Sequence, residues 1–247
     1  MDGGGDATAT EDWGPFGRPL WNDPDARALS RVGVLDVGSN SVRMVVFDGA
    51  ARSPAYFFNE KVMAGLGEGL AETGRLSPNG KERARSAIRR FQHISKAMGI
   101  APLTAVATAA VREAEEGPAV WVQIERATGL RLWVIDGEEE ARLSAQGVLL
   151  GWPGAYGLVC DIGGSSMELA ELRDGRVGKR LSTKLGPLRL KTLKGGRKGA
   201  IKHVRAEMEA LVEAMGHQRD RLFLVGGSWR AIARSDMDRR GYPLAVL

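Results

Sequence analysis

Two short segments of the chain, 125 residues apart, share one form: Leu35-Asp36-Val37-Gly38-Ser39-Asn40-Ser41 and Cys160-Asp161-Ile162-Gly163-Gly164-Ser165-Ser166. In each, an apolar strand delivers an Asp directly into a turn of small residues. Small side chains let backbone N–H groups approach an oxyanion, hydroxyls add donors, and the Asp can hold a metal ion that bridges phosphate oxygens. A single turn of this kind occurs in many hairpins that bind nothing. Two of them, each ending an apolar strand, read as the two halves of one phosphate-binding cleft. Ser39, Asn40, Ser41, Gly163, Gly164, Ser165 and Ser166 are the candidate cradle for the anion.

The surrounding pattern repeats as well. Val32 to Asp36 and Val42 to Phe47 read as strands flanking the first turn, with a third strand near Ala55 to Phe58. Ser77 followed by Pro78 is a helix start, and Ala84, Ala87, Ile88, Phe91, Ile94 and Met98 keep a helical period until Gly99. A strand at Leu103 to Ala107, a helix opened by Pro118 and running to Thr128, and a strand at Leu132 to Ile135 then alternate as in an α/β unit. After Asp161 come strands at Met167 to Leu172 and Arg176 to Ser182 around the Asp174-Gly175 turn, a helix near residues 199–216, and a strand at Leu222 to Val225 before Gly226-Gly227. Strand, Asp turn, strand, helix occurs twice, which predicts a duplicated α/β fold. Residues 1–30 carry no apolar period and are expected to be a disordered extension, although Trp13, Phe16 and Trp21 give it points of contact.

Charge adds a second constraint. The net charge is +5, but residues 1–30 hold six acids against Arg18 and Arg27, leaving +9 on the remainder. Between Asp174 and Glu207 no acid interrupts a series of Lys and Arg residues that includes Lys191-Thr192-Leu193-Lys194-Gly195-Gly196-Arg197-Lys198. Such a field attracts polyanions, or is simply a solvated face; beside two phosphate turns it favours a phosphate-rich substrate. No aromatic residue interleaves with these cations, which argues against nucleic acid. The single cysteine, Cys160, sits in an apolar strand and reads as a core residue. His93, His203 and His217 have no metal-ligand spacing. No apolar run approaches the roughly 18–20 residues of a membrane span, and the Met-Asp-Gly-Gly-Gly-Asp start has no secretory character, so a cytoplasmic location is expected.

Taken together, Asp36 to Arg43, Phe58-Asn59-Glu60-Lys61-Val62, Val106 to Ala114, Gly137 to Leu143 and Asp161 to Glu168 resemble, in order, the blocks of the exopolyphosphatase/guanosine pentaphosphate phosphohydrolase (Ppx/GppA) family. The likeness runs from about Arg31 to Tyr242. It implies a duplicated ribonuclease-H-like fold, as in actin and sugar kinases, with an N-terminal lobe at 31–136, a C-terminal lobe at 137–247 and the active site between them. Family members continue past the position of Leu247, so the resemblance also implies a second lobe shortened at its end.

By the same resemblance Glu140 is the general base that activates the attacking water, and Asp36, Asp161 and Glu168 hold Mg²⁺. Arg43 and Arg112 supply positive charge to substrate phosphates or form surface ion pairs. Gly226-Gly227-Ser228 is either a third phosphate turn or a strand-to-helix turn without a ligand. The family commonly has glycine where this chain has Ser165. The implied activity is Mg²⁺-dependent release of terminal phosphate from inorganic polyphosphate or from guanosine pentaphosphate. The second reading is a binding module that senses polyphosphate or a nucleotide alarmone without hydrolysis, and the third an ATP-dependent kinase on the same fold. A homodimer is compatible with each.

Overall fold

The computed structural model describes residues 31–48, 55–100, 103–216 and 220–242. The expected extension at 1–30 and His217 lie outside the described residues. Strands β1 (Val32–Val37), β2 (Ser41–Phe47) and β3 (Tyr56–Met63) form an antiparallel meander. Alternation decides its faces: Leu35 and Val37 on β1 and Val42, Met44 and Val46 on β2 are completely buried, while the residues between them turn the other way. β3 is longer than Ala55 to Phe58 because it pairs with β2 from Phe47↔Tyr56 to Ser41↔Met63, and as an edge strand it keeps polar residues such as Glu60 and Lys61 that hide the strand pattern.

After α1 (Leu70–Thr73), helix α2 (Pro78–Ala97) covers the buried face with Ala84, Ala87, Ile88 and Phe91. Ser77 caps it by accepting from the Gly80 N–H at 3.1 Å, and Pro78 fills the first turn, where no donor is needed. The chain then forms β4 (Leu103–Ala107), α3 (Ala109–Glu113), α4 (Gly117–Thr128) and β5 (Leu132–Val134). β4 runs parallel to β1 and β5 parallel to β4, giving the sheet order β3-β2-β1-β4-β5.

Helix α5 (Gly137–Gly151) leads into the second lobe, where β6 (Gly157–Ile162), β7 (Met167–Arg173) and β8 (Arg176–Thr183) repeat the meander. Asp174 takes a left-handed conformation (φ 52°) with Gly175 to close the β7–β8 hairpin. A single turn, α6 (Pro187–Leu190), and α7 (Gly196–Met215) precede β9 (Leu222–Val225), which pairs in parallel with β6, and α8 (Gly227–Arg239) follows. Among the described residues the second sheet has the order β8-β7-β6-β9. Among the described residues the second sheet therefore repeats the β3-β2-β1-β4 part of the first, β6 standing for β1 and β9 for β4, with no counterpart of β5. Asp36 and Asp161 are each the fifth residue of the corresponding strand. This is the duplicated ribonuclease-H-like fold.

Candidate active site

Both Asp residues leave their sheets at the same end and the following turns face one another. Ser165 Oγ donates to Ser39 Oγ at 2.9 Å across the cleft, and both residues are almost fully buried, at 2 % and 5 % exposure. Glycine makes this approach feasible. A Cβ on Gly164 would lie 3.0 Å from Ser39 Cβ, and one on Gly67 would lie 3.1 Å from Ser39 Cβ and 3.4 Å from Ser165 Oγ. The first turn is closed by the Gly38 N–H donating to Ser41 O at 3.0 Å and the second by the Gly163 N–H donating to Ser166 O at 3.1 Å. Asn40 O is held by the Ala64 and Gly65 N–H groups, so the first turn is braced from behind by the segment after β3.

Four carboxylates gather beside these turns. Asp36 is open to water on the cleft floor, yet protein surrounds it closely enough that burial, and then the charge of Asp161, push its pKa up to about 6. Arg43, its partner across the β1–β2 ladder, and Lys61 oppose that rise; the Arg43 Nε is fixed by donating to Asn59 Oδ1 at 2.9 Å. Burial also raises Asp161, whose Oδ2 accepts from Ser144 Oγ at 2.6 Å and which Arg230 stabilises. Glu168 is 2 % exposed, accepts from the Ser166 hydroxyl and, at 2.9 Å, from Ser182 Oγ, and is nevertheless raised by burial. Glu140 is raised by burial first and by the charge of Glu168 next, against the pull of Arg112, whose Nη1 lies 3.4 Å from Glu140 Oε2 and donates to Ile135 O at 2.7 Å.

The acidic run that opens α5 divides its labour. Asp136 caps the helix by accepting from the Glu139 N–H at 2.7 Å, Glu138 faces solvent, and Glu139 makes two 2.6 Å bonds with the buried Arg142. Only Glu140 points to the other acids.

Gly226 is the member of the third glycine turn brought against the cluster. Its φ is +97°, and an added Cβ would lie 2.6 Å from Asp161 Oδ1. Gly227 opens α8 into free space, and Ser228 is half-buried in its first turn. Ser41 is half-buried at the start of β2. Ser166 gives its hydroxyl to Glu168, and Ser165 gives its own to Ser39. Beside the cluster opens a cavity of about 500 Å³ lined by Arg112, Glu113, Asp136, Gly137, Glu138, Leu181, Ser182, Thr183 and Lys184. Cys160 is buried and its thiol is pushed up to about 11, as a core residue would be.

Ser144, Ser182, Gly67 and Arg230 were not singled out by sequence reasoning. Three had a signal: Ser144 lies four residues after Glu140 on one helix face, Ser182 stands opposite Glu168 in the β7–β8 register, and Gly67 is the middle of Gly65-Leu66-Gly67-Glu68-Gly69, whereas Arg230 meets Asp161 only through the tertiary fold.

Oxygen donors of this kind suit a hard cation such as Mg²⁺, which keeps several of its waters. Among the described residues no three His, Cys, Asp or Glu side chains stand at direct-ligand spacing. Four carboxylates that burial raises together, three of them further raised by a neighbouring carboxylate, nonetheless fit a hydrated cation held partly through water.

A model of the Ppx/GppA phosphatase family matches residues 45–246. Exopolyphosphatase 1 of Mycobacterium tuberculosis is 36 % identical over 163 residues, 65 % of this chain and 47 % of that protein. The chain thus spans about half the length of the curated relatives it matches. Among solved structures, an exopolyphosphatase from Cytophaga hutchinsonii superposes with a TM-score of 0.74 at 23 % identity, covering 87 % of this chain and 72 % of that one. The Aquifex aeolicus Ppx/GppA protein gives 0.70 at 24 %, with the same coverage. These two likenesses speak for the fold, and the family model, covering most of the chain, decides membership: the chain belongs to the Ppx/GppA phosphatase family.

Proposed function

We propose that the chain is a Mg²⁺-dependent phosphohydrolase that removes the terminal phosphate of inorganic polyphosphate, with guanosine pentaphosphate as the alternative substrate. The observation that carries this reading is the meeting of the two Asp turns across the Ser39–Ser165 hydrogen bond, with Glu140 standing beside Asp36 and Glu168. Phosphoryl transfer asks for an oriented nucleophile and for positive charge around the equatorial oxygens, with little covalent work from the protein. Backbone N–H groups of the two turns would be the donors to a phosphate seated between the lobes. Arg112 adds a fixed charge at the edge of the 500 Å³ cavity, which offers room for the rest of the substrate.

Glu140 accepts a proton from the water that attacks the terminal phosphorus. The phosphorus–oxygen anhydride bond breaks, and its electron pair leaves with the shortened chain. A carboxylate pushed upward by burial is a better base near neutrality than an ordinary one. Asp36, Asp161 and Glu168 are the residues that would hold Mg²⁺, which when bound neutralises phosphate oxygens. Support for polyphosphate comes from the mycobacterial exopolyphosphatases at 36 % and 32 % identity and from the acid-free basic stretch after β7.

The test is orthophosphate release from polyphosphate and from guanosine pentaphosphate, assayed side by side with Mg²⁺ and with EDTA. Mg²⁺-dependent release from polyphosphate is the expected result. Thermal stabilisation by polyphosphate with no release at any enzyme concentration would replace this reading with the non-hydrolysing binding module.

A further inference from the structure

The lobes are tied together at a second place, apart from the carboxylate cluster, where Glu113 at the rim of the cavity meets the opposite lobe. Arg189, on the single-turn helix α6 of the C-terminal lobe, forms an ion pair with Glu113, the last residue of α3 in the N-terminal lobe. The side chains are only 23 % and 17 % exposed, so water screens the pair less than it would on an open surface. Each end of the pair is coupled to part of the candidate active site.

At the Arg189 end, α6 is seated on the second phosphate turn. The Leu188 N–H donates to Gly164 O at 2.9 Å and the Gly186 N–H to Ser165 O at 3.3 Å. A Cβ on Gly186 would lie 2.2 Å from the Ser165 carbonyl carbon, and one on Gly164 would lie 3.4 Å from Leu188 Cδ1. Two backbone hydrogen bonds and glycines with no room for a Cβ couple α6 to the turn at Gly163–Ser166. At the Glu113 end, the neighbouring residue Arg112 is the group that contacts Glu140 and Ile135 O. The Arg112 guanidinium is aimed by its bond to Ile135 O, and the ion pair of the next residue holds the helix end from which it extends.

We propose that the Arg189–Glu113 pair is the positioning latch of the cleft: it holds the second phosphate turn closed on the first and sets Arg112 against Glu140. Neither residue touches the reacting atoms. This inference rests on the proposed function for its kinetic consequence but not for its structural one, and the two are measured separately.

The test compares the parent chain with Glu113→Gln, Arg189→Gln and the double variant. Cys160 is the only cysteine and is buried, so spin labels can be placed on the exposed positions Arg89→Cys of α2 and Glu209→Cys of α7, and the inter-lobe distance distribution read by pulsed electron resonance. The expected result is a narrow, short distribution for the parent and a longer, broader one for both single variants, with the double variant no worse than either. If polyphosphate is hydrolysed, each variant also lowers kcat about ten- to a hundredfold, and Arg189→Gln, whose side chain does not line the cavity, does so with little change in KM, since misplacement affects the transition state more than binding. Unchanged distances in both single variants overturn the latch, as does a double variant whose effect is the sum of the two. Should the glutamine variants fail to fold, Arg189→Lys, which keeps the charge and loses the planar fork, carries the same comparison. A chain without hydrolytic activity but with the expected distances keeps the latch and removes the phosphohydrolase reading.

Discussion

At the scale of single residues, one triplet illustrates how the fold assigns chemistry. Glu138, Glu139 and Glu140 all favour the N-terminal end of α5 electrostatically, yet solvent takes the first, Arg142 the second, and the carboxylate cluster the third. Glu140→Gln keeps the shape and removes the proton acceptor, so phosphate release should fall at least about a hundredfold while substrate binding stays within a fewfold. Steady-state kinetics beside equilibrium binding of polyphosphate measure both; equal rates in parent and variant would strip Glu140 of its role. The cluster also has a cost that depends on pH. Asp36, Glu140 and Glu168 all have folded pKa values above the ordinary carboxylate range near 4. The folded protein therefore binds more protons than the unfolded chain, and the stability linked to these groups is complete below their unfolded pKa values and lost as pH rises through the folded ones. Metal-free protein should melt at progressively lower temperature from about pH 5 upward through the neutral range, with Asp36 titrating near 6, and Mg²⁺ should restore most of the loss. Thermal melts in EDTA and in Mg²⁺ across that range decide the matter; a melting temperature that climbs with pH in EDTA would contradict the cluster.

At the scale of elements, most of what matters was legible because it is local. The Ser77 cap, Pro78 and the apolar period set α2 in place, and the paired Asp turns gave both the duplication and the strands around it. What the sequence hid is what register and tertiary contact create. β3 disguised itself by carrying Asn59, Glu60 and Lys61 on an edge strand, where side chains face water or a neighbour such as Arg90, which bonds Glu60 at 3.1 and 3.0 Å. Ser182 acquires its role only when β8 pairs with β7, and Arg189 only when the lobes close. The third glycine turn was readable as a strand-to-helix turn, but not its close approach to Asp161. That approach makes a prediction. Gly226→Ala places a Cβ against Asp161 Oδ1 and forces a side chain into left-handed φ, which together should cost about 2–4 kcal/mol of stability. The displaced Asp161 should also weaken Mg²⁺ binding. Melting and Mg²⁺ titration of the variant check each effect, and wild-type values in both would mean that the turn yields without strain.

At the scale of the whole molecule, the charge distribution bears on which phosphate compound the proposed hydrolase would favour. The described fold runs from the second phosphate turn through α6 directly into Lys191, Lys194, Arg197 and Lys198, all of them exposed. A cation at Lys184 lines the cavity beside Arg112. A positive strip leading away from the site rewards a long polyanion at every repeat, whereas a compact nucleotide reaches little of it. Exposed charges act over roughly 10 Å at 0.1 M salt and roughly 3 Å at 1 M, so the strip should be felt at low salt and fade at high. The double variant Lys191→Ala and Lys194→Ala is therefore expected to raise KM for long-chain polyphosphate severalfold at 0.05 M salt, to leave kcat unchanged, and to converge with the parent near 1 M. For guanosine pentaphosphate the same variant should leave KM nearly unaltered at any salt. KM measured for both compounds over that salt series separates a track for a chain from a general anion field: a rise of equal size for the two would show that these lysines attract negative charge of any kind, and any preference for polyphosphate would then have to come from inside the cavity, from Arg112, Ser182 and Lys184.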